Sequence, residues 1–186
     1  MAILHWTSKD LERFSDDGQR YEIVDAELYV SKQPDMNHQF AETLIWEQLQ
    51  IWSRQTKMGR AYVTPGIIFA EDNDVVPDVI WISNERLALA QHPDGHLHAA
   101  PELAVEILSP GSTNERRDRE AKRNLYARQG VLEYWLVNWQ EQRVEVYRSN
   151  EKKLQLTQIL ANNDVIQSPY LPGFSCNISQ FFDDQR

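Results

Sequence analysis

The sequence reads PELAVEILSP at residues 101–110. This apolar run has the length of a buried strand and ends in the turn-forming pair Ser109-Pro110. Helical spacing follows until Gly130, and a second strand-like run, EYWLV, occupies residues 133–137. Strand, helix and strand in this order form a crossover, so the sequence predicts an α/β fold.

Two carboxylates stand in strand positions where apolar side chains are expected. Glu106 lies inside the run at residues 101–110, and Asp78 opens a second apolar strand at residues 79–82. Burying an unpaired carboxylate is costly, so the pair indicates a cation, a shared proton or a basic partner. Glu102 shares the face of Glu106 but lies near the strand start, where we expect solvent to reach it. Asp78 would point toward Glu106 if the two strands are neighbours.

Lys122 is a third candidate group. On the predicted helix it shares a stripe with Leu125 and Tyr126, so its side chain can face inward. Two acids and a lysine suit metal-assisted phosphodiester hydrolysis, in which oxygen ligands hold a hard cation and the ammonium stabilises charge. The same spacing permits a buried salt bridge between Lys122 and one acid, and both interpretations stay open at this point.

Composition predicts one folded domain over residues 1–186, located in the cytoplasm. Hydrophobic residues make up 41% of the chain, and Cys176 is its single cysteine, which excludes an intrachain disulfide and favours a reducing compartment. No apolar run approaches a membrane span, and the first residues lack the pattern of a signal peptide. We therefore expect no membrane association.

Charge argues against a general nucleic-acid coating protein, because the chain carries a net charge of -9. Residues 115–128 are nevertheless locally positive, and we interpret them mainly as a solvated helix face with Glu120–Arg123 and Asp118–Lys122 pairs. A nuclease would need such a basic strip to meet DNA. The basic residues in this segment are Arg116, Arg117, Arg119, Lys122, Arg123 and Arg128.

The remaining pattern supplies a hairpin and a long helix before the crossover. Residues 21–30 are predicted to form the hairpin, residues 71–74 an acidic turn, and residues 37–56 an amphipathic helix. The apolar stripe of that helix is predicted to consist of Phe40, Leu44, Ile45, Leu49 and Trp52.

Several segments in combination resemble the Uma-two family of restriction endonuclease-like proteins, a branch of the PD-(D/E)XK nuclease superfamily. The resemblance covers nearly the whole chain. It rests on Pro77-Asp78, the 101–110 run, Lys122 with Tyr126-Ala127, the segment GVLEYWLV at residues 130–137, Tyr21-Glu22, His38 and Leu171-Pro172-Gly173.

The resemblance implies a restriction-endonuclease-like mixed β-sheet flanked by helices, with an N-terminal hairpin and a long helix. It also implies Mg²⁺ or Mn²⁺ held by Asp78 and Glu106, with Lys122 as the catalytic lysine and DNA, most simply duplex DNA, as the substrate. One departure is visible. The superfamily lysine stands two residues after the second acid, where this chain has Leu108, so Lys122 would be a relocated lysine on the following helix.

Further groups are implied or considered around this centre. The match of His38 suggests a residue that positions water, and Glu22, Glu42 or Glu102 would complete the metal shell, although Glu42 is expected on the wet side of its helix. His92, His96 and His98 cluster with Asp94, which suggests zinc, whereas the loop composition favours a flexible exposed segment.

Two functions from different classes follow. The first is a metal-dependent DNA endonuclease. The second is a noncatalytic nucleic-acid or protein interaction module on the same fold, and a homodimer would concentrate the basic strip along one groove in either case.

Overall fold

Within the run at residues 101–110, Leu103–Ile107 form a central strand of a six-stranded sheet and are all buried. The structure is a computed structural model that describes residues 4–14, 17–109 and 112–182. The strands, numbered in chain order, are β1 Arg20–Val24, β2 Glu27–Ser31, β3 Gly59–Val63, β4 Ile67–Ala70, β5 Asn73–Val75, β6 Val79–Ser83, β7 Leu103–Ile107, β8 Glu133–Asn138, β9 Arg143–Asn150, β10 Lys153–Ala161, β11 Val165–Gln167 and β12 Ser175–Asn177.

Helices lie between groups of these strands. A π-helical segment, Arg117–Lys122, joins the last two α-helices, and a 3₁₀ turn, Ile178–Phe181, follows β12. Among the described residues, no helix has both the length and the apolar character needed to cross a bilayer. The α-helices are α1 Ser8–Leu11, α2 Met36–Thr56, α3 Asn84–Ala90, α4 Ser112–Arg116 and α5 Arg123–Gln129.

The large sheet is mixed, with the order β10-β9-β8-β7-β6-β3. β7 and β8 pair in parallel, as the crossover requires, whereas β6 lies antiparallel on the other side of β7. A second, four-stranded sheet has the order β2-β1-β5-β4, and its β1–β2 pair is the predicted hairpin. The mixed sheet, the hairpin and the long helix confirm the predicted fold class.

The large sheet separates two hydrophobic clusters because neighbouring residues of its strands point to opposite faces. On one face, Val105 and Trp81 pack with Leu49 of α2 and with Phe181. On the other face, Ala104 and Ile80 pack with α5 and with residues of the small sheet, such as Val24 and Val75. Helices and the small sheet therefore cover the two faces, and Glu106 faces the side of α5.

The helix after β7 differs from the uninterrupted helix that the spacing predicts. Residues 117–122 form wide π-helical turns, and Gly130 ends α5 with a left-handed backbone at φ 92°. In an α-helix, residues five apart are separated by about 140° around the axis. The wider turns bring Arg117 and Lys122 to the same side, where both reach Glu22, at 3.5 and 2.6 Å.

Two local predictions are wrong. Residues 73 and 74, predicted as part of the acidic turn, lie in β5, because this strand pairs with both β1 and β4. Phe40 belongs to the predicted apolar stripe but is 47% exposed.

Burial along α2 predicts which of its apolar residues hold the fold. Ile45 is fully buried against the sheet, whereas Ile51 on the same helix is 47% exposed. We expect Ile45→Ala to lower the free energy of unfolding by about 2–5 kcal/mol because it leaves a cavity. The matched change Ile51→Ala should cost less than about 1 kcal/mol. Urea unfolding monitored by tryptophan fluorescence measures both, and equal losses would contradict the assigned core.

Candidate active site

Asp78 and Glu106 meet where β6 begins and β7 ends. Val79 pairs with Val105, so one further step of this register sets Asp78 opposite Glu106. The backbone N–H of Ile107 donates to Asp78 Oδ2 at 2.8 Å. Both carboxylates are buried. β6 and β7 are thus neighbours, which is the condition under which the sequence predicts that Asp78 points toward Glu106.

Asp78 is held by an arginine and a histidine side chain. Arg20, on β1, donates to Asp78 Oδ1 at 2.8 Å, and His38 Nε2 lies 3.3 Å from Asp78 Oδ2. His38 Nε2 also lies 3.0 Å from the carbonyl oxygen of Ile107, so facing two acceptors requires a proton on this nitrogen. Burial alone would raise the pKa of Asp78, but His38, Arg20 and the Ile107 N–H together lower it.

His38 is oriented by the start of α2. The Asp35 side chain caps this helix by accepting from the N–H groups of Asn37 and His38, at 2.8 and 3.0 Å. Burial alone would lower the pKa of His38, whereas its contact with Asp78 raises the pKa above its ordinary value. The helix start thus fixes a buried histidine with a raised pKa beside the acid.

Glu106 lies beside the fully buried Lys122. Lys122 Nζ is 2.8 Å from Glu106 Oε1 and 2.6 Å from Glu22 Oε1, and the Tyr126 hydroxyl donates to Glu106 Oε1 at 2.7 Å. Burial, with help from the charges of Asp78 and other acids, raises the pKa of Glu106 to about 8 despite the ammonium. The pKa of Glu22 is lowered, because Lys122 and Arg117 outweigh its burial. Glu22 and Lys122 therefore form the ionised pair of this centre.

Arg117 and Asp118 extend the charge network behind this pair. Arg117 Nε donates to Asp118 Oδ1 at 2.7 Å, and Arg117 also hydrogen-bonds to the Ser31 hydroxyl. The Asp118–Lys122 pair predicted for a solvated face is thereby replaced by an Arg117–Asp118 pair, and both of these residues are buried. This part of the segment is interior rather than a solvated face.

Glu42 is buried, so the prediction that it lies on the solvent-exposed face of its helix is wrong. It is 6% exposed, and its Oε1 has no hydrogen-bond partner among the described residues. Burial, and then the negative charge of Asp78, raise the pKa of Glu42 to about 7. Glu42 follows His38 by one helical turn, so both side chains lie on the face of α2 that meets the acids.

This oxygen-rich donor set fits a hard divalent cation. The Glu42 oxygen without a hydrogen-bond partner lies near enough to Asp78 for that charge to raise the pKa of Glu42, and such a buried carboxylate oxygen is a ligand that Mg²⁺ or Mn²⁺ can bind. Asp78, Glu106 and Glu42 are the residues that could hold such a cation, but among the described residues their ligand atoms do not all lie within 4.8 Å of one another. Glu102 is not among them, because it is buried at the opposite end of β7, where it contacts Arg86 Nε at 3.4 Å and accepts from Ser83 N at 3.0 Å.

Arg20 is the main contact of the centre that sequence reasoning does not identify. It alternates with Glu22 on β1, so both side chains share the face that meets the acids. Alternating charged residues in a hairpin strand were the available signal. Sequence alone does not show that this face is covered, because the covering elements follow about 55 to 100 residues later.

Comparison with known proteins shows the family of the chain and supports its fold. A family model with the description "Putative restriction endonuclease", named Uma2, matches residues 8–179. The chain belongs to the Uma2 family. The fold is similar to the crystal structure of a "putative nuclease belonging to DUF820" from Anabaena variabilis, with a TM-score of 0.75 and 18% identity over 95% of this chain and 97% of that chain. No curated protein matches the chain.

For this Uma2 chain, the position of the lysine is the point of chemical interest. Leu108 occupies the position two residues after Glu106 and is buried in the hydrophobic cluster on the α5 side. Lys122 reaches the same carboxylate from the π-helical segment instead. The wide turns therefore give a lysine on the crossover helix access to the end of the central strand.

Removing Lys122 should leave the buried carboxylate of Glu22 without its closest counter-charge. We expect Lys122→Met to lower the free energy of unfolding by about 3–5 kcal/mol, because Glu22 loses its ion-pair partner and Glu106 loses a hydrogen-bond donor. The control is Lys9→Met, which removes a surface contact with Glu71 and should change stability by less than about 1 kcal/mol. Urea unfolding at pH 7 compares the two variants, and a neutral Lys122→Met would contradict the assigned ion pairs.

Proposed function

We propose that this protein is a metal-dependent endonuclease that hydrolyses phosphodiester bonds in DNA at the centre formed by Asp78, Glu106 and Lys122. The observation that carries the proposal is the convergence of these three buried side chains at the end of β7, with Lys122 Nζ 2.8 Å from Glu106. Membership of the Uma2 family and the nuclease-like fold support the same reaction class.

Asp78, Glu106 and Glu42 would hold the cation, which we propose to be Mg²⁺ or Mn²⁺. When bound, such an ion supplies Lewis-acid polarisation of the phosphate and a more acidic water. Burial raises the pKa values of Glu106 and Glu42, which favours their protonated forms. A cation beside them would lower these pKa values, so metal binding would release protons.

Lys122 and His38 have separate roles in this proposal. Lys122 carries three N–H donors, and Glu22 and Glu106 occupy two of them, which leaves one for an oxygen of the reacting group. His38 contacts Asp78 and the Ile107 carbonyl, so it positions the carboxylate and the end of β7. It also orders water near the reacting phosphate.

Arg20 marks the route by which a phosphate approaches. Its side chain is 26% exposed, whereas the side chains of Asp78, Glu106 and Lys122 are 0–3% exposed. Among the described basic side chains that contact the two acids, Arg20 is thus the most exposed to solvent. We propose that it turns toward the DNA backbone when a cation takes its place beside Asp78.

Duplex DNA is the proposed substrate, and its contacts would be local because the chain is acidic overall. The basic segment at residues 115–128 offers fewer free positive charges for DNA than its sequence indicates. Arg119 pairs with Glu145 at 2.9 Å, Arg128 pairs with Asp25 at 2.6 Å, and Lys122 is interior. A homodimer would add a second set of exposed basic side chains, such as Arg116, to one DNA surface.

One observation favours the alternative, a noncatalytic nucleic-acid or protein interaction module. Asp78 and Glu106 already have cationic partners, Arg20 and Lys122, at 2.8 Å. If these pairs are permanent, the centre is structural. Calorimetric titration with Mg²⁺ and Mn²⁺ separates the two functions, since absence of binding at millimolar concentration supports the module.

Neutral, isosteric changes at the two acids test the nuclease. Asp78→Asn and Glu106→Gln should each lower Mg²⁺-dependent cleavage of plasmid DNA by at least about 1,000-fold, because a lost metal ligand costs several kcal/mol in the transition state. The exposed change Glu85→Gln is the control. Circular dichroism verifies folding, and unchanged cleavage in both folded variants would falsify the proposed site.

Glu42 offers a test in which binding and stability move in opposite directions. Glu42→Gln should weaken Mg²⁺ binding on the order of tenfold to 100-fold, because a carboxylate ligand is lost. The same change should raise the melting temperature at pH 8, since burial raises the pKa of Glu42 and its ionised form therefore disfavours folding at that pH. Glu47→Gln, exposed on the same helix, should alter neither quantity. Weaker Mg²⁺ binding without a higher melting temperature would contradict the ligand assignment. A higher melting temperature without weaker Mg²⁺ binding would contradict it as well.

A further inference from the structure

Residues 91–98 carry three histidines and an aspartate outside the acidic centre. Most of the segment is exposed, as its composition predicts, and it folds back on itself as a hairpin with a bridge between Gln91 and Leu97. His92 N donates to His96 O at 3.0 Å, and Gly95 N donates to His92 O at 3.0 Å. Gly95 has φ 89°, a left-handed conformation that suits glycine at this turn.

The hairpin is anchored to the small sheet by Leu97. This residue bridges Gln91 within the hairpin and Ile67 of β4, and it is 7% exposed. His96 rests on Gly66, where a Cβ would lie 2.4 Å from the imidazole ring. These contacts fix the backbone positions from which the side chains of residues 92, 94, 96 and 98 extend.

The imidazoles converge on the Asp94 carboxylate. His98 Nε2 lies 2.7 Å and His92 Nδ1 3.5 Å from Asp94 Oδ2, and one ligand atom from each of these three residues lies within 4.8 Å of the others. Tetrahedral zinc with bonds near 2.0–2.1 Å separates its ligand atoms by about 3.3 Å. Small rotations of the exposed rings would bring the observed spacing to that value.

The placement of the two rings suits a shared ion. The His92 and His98 rings are 4.2 Å apart between centroids, so one ion can lie within reach of both. Neutral imidazoles are ligands, and one carboxylate supplies the negative charge. His96 Nδ1 is 3.6 Å from the other carboxylate oxygen and stands beside this set.

We propose that His92, Asp94 and His98 form a second metal site, selective for Zn²⁺ or a similar transition-metal ion such as Co²⁺ or Ni²⁺. Two imidazole nitrogens and one carboxylate oxygen suit these ions, whereas Mg²⁺ prefers oxygen ligands in octahedral geometry. A bound ion would link the two sides of the hairpin. The site is independent of the proposed nuclease centre, because it shares no residue with it.

The test uses the full chain without a histidine tag, stripped of metal by a chelator and titrated with Zn²⁺ in a calorimeter. We expect one ion per chain at this site. His92→Ala and His98→Ala should each weaken Zn²⁺ binding on the order of 100-fold. Removing a direct ligand should cost at least as much affinity as removing an outer-shell partner of a metal. His5→Ala is the matched control, since His5 is exposed and outside the hairpin.

Two further measurements identify the site. Zn²⁺ should raise the melting temperature of the unaltered protein and of Asp78→Asn, but not that of the double variant His92→Ala/His98→Ala. Co²⁺ should give visible absorption that the double variant lacks. Zn²⁺ binding that survives both histidine changes, or that is lost in Asp78→Asn, would overturn the proposal, as would absence of binding to the unaltered chain.

Discussion

The structure depends on a lysine ammonium buried between two carboxylates. Lys122 is wholly inaccessible, and its contacts with Glu22 and Glu106 join the small sheet, the central strand and the crossover helix. A buried ammonium without partners would cost far more than a fold of this size can offset. These three elements must therefore stay in contact. Such pairs are often no more stabilising than apolar residues of similar volume, but removing one partner of a buried pair is strongly destabilising.

The sequence predicts the elements that are decided locally. The crossover from β7 to β8 and the β1–β2 hairpin follow from apolar runs and turn residues within short windows. The π-helical turns do not, because spacings of three and four residues at Leu125 and Tyr126 suit an ordinary helix. What widens the turns is tertiary: Arg117 and Lys122 both reach Glu22, almost one hundred residues earlier in the chain.

The residues of the candidate site likewise fall into those that one segment of sequence identifies and those that depend on tertiary contacts. Asp78 and Glu106 were identifiable because a carboxylate in an apolar strand conflicts with its surroundings, and such a conflict is visible in one segment. Glu42 and Arg20 create no local conflict, since each lies in a segment with other polar residues. Their burial and contacts come from distant strands, as when the charge of Asp78 contributes to the raised pKa of Glu42. Groups of this kind become visible only when the elements are assembled.

In the proposed nuclease, the Arg20–Asp78 pair couples the binding of metal and of DNA. Arg20 neutralises the carboxylate that a cation would need, and it is also the partly exposed group that a phosphate would meet. A phosphate that attracts Arg20 leaves Asp78 Oδ1 without its cationic partner and strengthens the attraction of Asp78 for the cation. A bound cation likewise displaces Arg20 toward the phosphate. Because linkage is reciprocal, each ligand would raise the affinity for the other by the same factor. The ion pairs that make the centre look structural without ligands would then be what keeps it inactive until both have arrived.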